Sequence, residues 1–160
     1  CSGKTHLGQR IAKFLGRRFV DLDREIEKDQ GMKVAEIVRR HGWAYFRKIE
    51  QKICSFFAGA LNGKNRKPLV IATGGGVVTS PANMKALKKN GVNVFVFVDP
   101  SVLAARLAKK GDRPSLSGHD PVYELSQVWR ERRSLYLRYA DVIWDNTSGE
   151  VVRENLDKAF

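Results

Sequence analysis

The sequence opens on Cys1-Ser2-Gly3-Lys4-Thr5-His6-Leu7. Gly3-Lys4-Thr5 is the closing half of the phosphate-binding pattern G-x-x-x-x-G-K-[ST], with Cys1 and Ser2 in its last two variable places. The opening Gly of the pattern would stand ahead of Cys1. A loop of this kind follows a buried parallel strand. An N-terminal central strand is therefore expected to precede Cys1 and to be absent from this sequence. A lone Gly-Lys-Thr is a common tripeptide. Here Leu7, Ile11, Phe14 and Leu15 follow it as an apolar stripe at helical spacing. A glycine-bounded loop that opens a helix is a site for phosphates, and a nucleoside triphosphate is the expected ligand.

Outward from that loop, the remaining residues read as one domain, 1–160, truncated at its N-terminus. The length of 160 residues supports a full core, and an apolar content of 42% excludes a disordered chain. No apolar run reaches membrane-spanning length, and no signal peptide is visible. Two cysteines, Cys1 and Cys54, are too few for a disulfide framework or a zinc site. A reducing compartment is expected: cytoplasm, or plastid stroma if a transit peptide has been removed. The formal charge of +12 comes from 29 basic and 17 acidic residues. The basic residues are dispersed and form no recognisable nucleic-acid-binding motif, which favours small anions over nucleic acid as partners.

Strand-like and helix-like segments alternate, the pattern of an α/β fold with a parallel sheet flanked by helices on both faces. Residues 19–22 read as a short strand. Val34, Ile37 and Val38 mark a helix face that ends near Gly42, and Phe46, Ile49, Ile53, Phe56 and Phe57 mark a longer one. Residues 69–73 and 92–98 are apolar runs suited to strands buried on both faces. Ser80-Pro81 opens a helix as N-cap and first residue. Pro100 and Ser101 open the next, and residues 142–144 form a last strand. Residues 62–68 are a polar connection, and about 111–121 is a loop with the character of a lid.

Four constellations carry chemistry. Asp21-Leu22-Asp23 falls at the carboxyl end of the first strand, where parallel sheets bind ligands. Alternation along a strand would put both carboxylates on one side. One could help hold a hydrated Mg²⁺ and the other accept from a substrate hydroxyl; the bland reading makes Asp23 a helix cap. Arg47 and Glu50, in Phe46-Arg47-Lys48-Ile49-Glu50, face each other across one helical turn. They are either a surface ion pair or an Arg fork aimed at a substrate carboxylate. Gly74-Gly75-Gly76 follows a strand and lets backbone approach a ligand, or else is a flexible connection. Arg113, beside Pro114 in the lid-like loop, is either solvated or poised over a transferring phosphoryl group. Arg130, Arg132 and Arg133 crowd one helix, and at most one or two would reach a site.

Together these residues resemble the shikimate kinase family. The resemblance rests on Gly3-Lys4-Thr5, Asp21-x-Asp23, Phe46-Arg47-Lys48-Ile49-Glu50, Gly74-Gly75-Gly76, Arg113-Pro114 and Arg132-Arg133-Ser134-Leu135-Tyr136, in the family's order and over nearly the whole chain. It implies a P-loop kinase fold, ATP and Mg²⁺ as cofactors, and transfer of the γ-phosphoryl group to the 3-hydroxyl of shikimate on the route to chorismate and the aromatic amino acids. It implies that Ser2, Gly3 and Lys4 hold the phosphates, that Thr5 contacts Mg²⁺, and that Asp21 reaches the metal through water. Asp23 would bind shikimate hydroxyls and take the proton of the attacking one. Arg47 and Arg133 would hold the carboxylate, and Gly74, Gly75 and Gly76 would line the shikimate pocket. Arg106 would stack on adenine, Asn146 and Thr147 would border it, and Arg113 would be the lid arginine, which makes Asp23, Lys4 and Arg113 the expected catalytic set. Shikimate and MgATP are the expected partners of a monomer, without nucleic acid or membrane. Lys4-Thr5-His6 departs from the commoner Lys-Ser-Thr, and Ser115 stands where an apolar residue is frequent.

Rival readings are a kinase of another small metabolite, such as gluconate or a nucleoside, a non-catalytic binding module on the same fold, and a nucleic-acid-binding protein suggested by charge alone.

Overall fold

The computed structural model describes residues 2–59, 68–89, 91–108, 121–147 and 150–152. They fall into two compact units. One runs from Lys4 to Gly91; the other takes Ser2 and Gly3 together with the residues from Val92 onward.

The Lys4–Gly91 unit begins with helix α1 (Lys4–Phe14), strand β1 (Arg18–Asp21) and helix α2 (Leu22–Gln30). Helix α3 (Val34–Gly59) follows, then β2 (Leu69–Ala72), a 3₁₀ turn (Val77–Thr79) and α4 (Pro81–Lys88). β1 and β2 pair in parallel, with Arg18 opposite Leu69 and Asp21 opposite Ala72. This register brings the ends of both strands level, so Asp21 and the glycine run after β2 emerge at the same edge. Val20, Leu22, Ile26, Ile37, Phe46, Cys54, Phe57 and Met84 are buried and form the core. Each large side chain removed from water stabilises the unit by roughly 1.5–3 kcal/mol.

The apolar stripe expected on α1 is shorter than its spacing suggests. Leu7 and Ala12 are buried, whereas Phe14, the last residue of α1, is 88% exposed and Leu15, just beyond it, 45%. The two helices expected on either side of Gly42 are present: within α3 they meet at Gly42, whose non-helical backbone (φ 78°, ψ 169°) kinks one against the other. Ser80 caps α4 by accepting from Asn83 N at 3.3 Å, with Pro81 in the first turn.

The second unit contains β3 (Val94–Phe97), α5 (Pro100–Ala108), α6 (Pro121–Tyr139), β4 (Val142–Asp145) and β5 (Glu150–Val152). β3 and β4 are parallel, and β5 returns antiparallel to β4. β5 was not expected, since three residues carry too little periodicity to register. Residues 92–98 do not form a fully buried strand: Val92 is 71% and Val94 42% exposed. Residues 69–71 are likewise only half-buried. Phe95 stacks on Tyr136 of α6 at 5.1 Å, and Trp129 lies against Phe95 and Phe97, which seats α6 on β3. Pro121, expected to close the preceding loop, is the first residue of α6. Residues 111–120 of the expected lid and 62–67 of the polar connection lie outside the described residues, as does Cys1. No described helix is long and apolar enough to cross a membrane.

Candidate active site

Lys4 and Thr5 open α1, directly after Gly3, whose φ of 85° turns the chain into the helix. Thr5 Oγ1 donates to Asp21 Oδ2 at 2.9 Å. Asp21 Oδ1 meanwhile accepts from the backbone N–H groups of Asp23 at 3.1 Å and Arg24 at 3.4 Å. Asp21, not Asp23, is therefore the N-cap of α2. Strand alternation does not relate the two carboxylates, because β1 ends at Asp21 and Asp23 lies inside the first turn of the helix.

A hydroxyl and a carboxylate converging at hydrogen-bond distance are hard oxygen donors of the kind Mg²⁺ takes when phosphates and water supply its remaining ligands. No cluster of three His, Cys, Asp or Glu side chains suited to a metal occurs among the described residues. Thr5 and Asp21 thus fit an ion that arrives with a phosphate chain, and not one caged by protein alone.

Asp23 is the electrostatically unusual member. Burial raises its pKa, the neighbouring Asp21 carboxylate raises it further, and Lys4 and Arg47 pull it partly back. A carboxylate held above its ordinary range, yet faced by two cations, is suited to taking up a proton from a substrate hydroxyl.

Arg47 Nη1 donates to Glu50 Oε2 at 2.6 Å. This is no surface pair. Glu50 is 1% exposed, in the core-facing side of α3. The guanidinium lies over the rings of Trp43 at 5.4 Å and Phe46 at 5.1 Å. Ion pair and rings together fix the fork in one orientation. The triple glycine is built around it. A Cβ at Gly76 would overlap the guanidinium of Arg47, and a Cβ at Gly74 would lie 3.1 Å from Asp23 Oδ1 and 3.2 Å from Glu50 Oε1. Glycine is required here for close approach, and the approaching groups are the protein's own charged side chains. Lys4, Thr5, Asp21, Asp23, Arg47 and the glycine run are thus brought together in one unit.

In the other unit, Ser2, Gly3, Arg106 and Asn146 come together. Asn146 Nδ2 donates to Ser2 O at 2.9 Å, and Arg106 Nη2 donates to Asn146 O at 3.3 Å. Thr147 Oγ1 accepts from Asp99 N at 2.8 Å, so the hydroxyl serves the turn before α5. Arg133 stands on α6 with its guanidinium 6.0 Å from the Trp129 ring centroid. Arg113 lies outside the described residues. Sequence reasoning missed Trp43 and Trp129. Each lies four residues before the arginine it supports, a helical spacing that could have revealed both.

A Lys-Thr pair opening a helix, a carboxylate at the facing strand end and a glycine run after the next parallel strand define a P-loop phosphotransferase of the α/β class. The family model for shikimate kinase matches residues 1–159. The chain is 40% identical over 156 residues to the shikimate kinase of Caldanaerobacter subterraneus subsp. tengcongensis, covering 96% of this chain and 87% of that one. It is 36% identical over 157 residues to shikimate kinase 2 of Escherichia fergusonii, covering 95% and 83%. Its fold matches that of Acinetobacter baumannii shikimate kinase, solved in complex with shikimate, with a TM-score of 0.80 and 32% identity over 89% of this chain and 76% of that one. The Bacteroides thetaiotaomicron shikimate kinase matches with a TM-score of 0.78 and 29% identity, over 99% and 88%. The chain belongs to the shikimate kinase family.

Proposed function

We infer that this chain transfers the γ-phosphoryl group of ATP to the 3-hydroxyl of shikimate, a step towards chorismate and the aromatic amino acids. The observation that carries the reading is the Arg47–Glu50 pair. A guanidinium held by a buried carboxylate and two rings, with Asp23 nearby, is an oriented fork for an acidic substrate that also offers hydroxyls.

In the proposed reaction Arg47 binds the carboxylate of shikimate, and Arg133 of α6 is proposed as a further carboxylate ligand. Gly74, Gly75 and Gly76 line the pocket. Asp23 orients the hydroxyls and accepts the proton of the attacking one. As the new oxygen–phosphorus bond forms, the bond between the γ-phosphorus and the β,γ-bridging oxygen breaks, and ADP leaves with that oxygen. Ser2, Gly3 and Lys4 hold the phosphates, and Lys4 with Arg113 stabilises the charge that spreads over the transferring group. Thr5 and Asp21 would hold Mg²⁺, Asp21 through water, and the ion would neutralise charge on the phosphates. Arg106 packs on adenine, and the backbone of Asn146 and Thr147 borders it. A substrate lacking the carboxylate would leave the Arg47 fork desolvated and unpaired, which gives the pocket its selectivity.

ADP release tests this reading, measured with shikimate, gluconate, nucleosides or no acceptor. Release that depends on shikimate supports it. Equal or greater release with gluconate or a nucleoside would assign the fold to a different acceptor.

A further inference from the structure

We infer that the side chain of Asn146 acts on the phosphate loop and not on the adenine: it is a positioning residue that pins the Ser2 carbonyl and so aims the loop's next backbone N–H. The inference rests on the reading of Ser2–Gly3 as part of an ATP phosphate loop.

Its basis is the direction of the amide. Asn146 Nδ2 donates to Ser2 O at 2.9 Å, and Asn146 Oδ1 accepts from Trp144 Nε1 at 3.4 Å. An indole N–H can only donate and a peptide carbonyl can only accept, so these two partners permit one orientation of the amide. The backbone of the same residue is also committed. Asn146 N donates to Phe97 O at 2.8 Å, at the end of β3, and Asn146 O accepts from Arg106. The residue is thus anchored to the sheet while its side chain reaches the loop.

The contact extends to the next loop residue. A Cβ at Gly3 would lie 2.6 Å from Asn146 Nδ2, so the amide rests directly against the Gly3 α-carbon. Gly3 also has a φ of 85°, which side-chain-bearing residues rarely adopt. The consequence follows from peptide geometry. In a trans peptide the C=O and N–H point in opposite directions. Fixing the Ser2 carbonyl on Asn146 turns the Gly3 N–H away from Asn146, which presents it as an anion-binding donor at the start of α1. A free Ser2 carbonyl could rotate this peptide and direct an oxygen lone pair at the phosphates instead.

The test uses Asn146→Asp, of the same size but unable to donate, and Trp144→Phe, which removes the group that orients the amide and leaves Asn146 in place. KM is measured for ATP, GTP and shikimate, and calorimetry gives the affinity for inorganic tripolyphosphate, which has no base. Asn146→Asp should weaken ATP, GTP and tripolyphosphate alike, on the order of 10-fold, with the shikimate KM unchanged. Trp144→Phe should show the same pattern with a smaller loss. Weakened ATP with unchanged tripolyphosphate affinity would make Asn146 a reader of the base and overturn the proposal, as would unchanged affinities in both variants. Failure of the underlying reading is separate: it would appear as no tripolyphosphate or ATP binding by the unsubstituted protein.

Discussion

Thr5 and Asp21 are joined by a direct hydrogen bond of 2.9 Å, and the second oxygen of the same carboxylate caps α2. Asp21 thus ties the first turn of the phosphate-loop helix to the start of the helix that carries Asp23. Asparagine caps helices as well as aspartate does. Asp21→Asn should therefore leave the melting temperature nearly unchanged while removing the charge proposed to act on Mg²⁺. The expected result is a raised Mg²⁺ requirement with turnover restored at excess Mg²⁺. A normal Mg²⁺ titration would reduce Asp21 to its capping role.

Asp23 poses the opposite case, a buried charge that opposes folding and is proposed to serve the chemistry. Asp23→Asn should lower kcat by about 10²–10⁴-fold while MgATP still binds. The folded pKa of Asp23 is raised by burial first and by Asp21 second. The folded protein then keeps this proton to higher pH than the unfolded chain, so stability falls as pH rises from about 3.8 through the folded value. At pH 7 the Asn variant should melt higher than the parent, and the difference should shrink as pH approaches 3.8. Equal melting temperatures at all pH values would mean that Asp23 is well solvated.

Gly76 and Arg47 cannot both keep their places once a methyl group is added. Gly76→Ala should displace the guanidinium and raise the shikimate KM by about 10- to 100-fold, with little change in the KM for ATP. Arg47→Lys should do the same, since an ammonium cannot reproduce the fork. Equal losses for both substrates would assign Arg47 to the fold instead of the substrate.

Cys54 reports the same buried carboxylate from its other side. Burial, and then the charge of Glu50, push its thiol up to about 11. The folded state retains the proton above the ordinary value of 9.0, so stability falls as pH rises between 9.0 and about 11. At pH 8 an alkylating reagent should leave Cys54 unmodified in the native protein and modify it in urea, as read by peptide mapping. Rapid native labelling would mean that α3 opens around Glu50.

The parts of this site legible in the sequence are those that depend on backbone shape or helical spacing. Gly3-Lys4-Thr5 announced a loop opening a helix, Ser80-Pro81 a cap, and Arg47 and Glu50 a facing pair. The bland alternative for that pair failed because burial of Glu50 is a tertiary fact: an apolar stripe shows which face is buried but not that a carboxylate belongs to it. Asp21 was assigned by strand alternation and proved to be a helix cap, because β1 stops one residue earlier than its apolar pattern does. The partners of Gly76 and Asn146 lie 29 and 144 positions away in sequence, the latter bridged by one hydrogen bond, and no local pattern encodes such meetings.

In the proposed reaction phosphorus moves from ATP to one particular hydroxyl of shikimate. Phosphorus NMR of the product, with coupling to the ring protons, measures this directly. One new phosphomonoester resonance, coupled to the proton on C3 and formed in step with ADP, is the expected result. Phosphate on a different hydroxyl, or ADP accompanied only by inorganic phosphate, would contradict it.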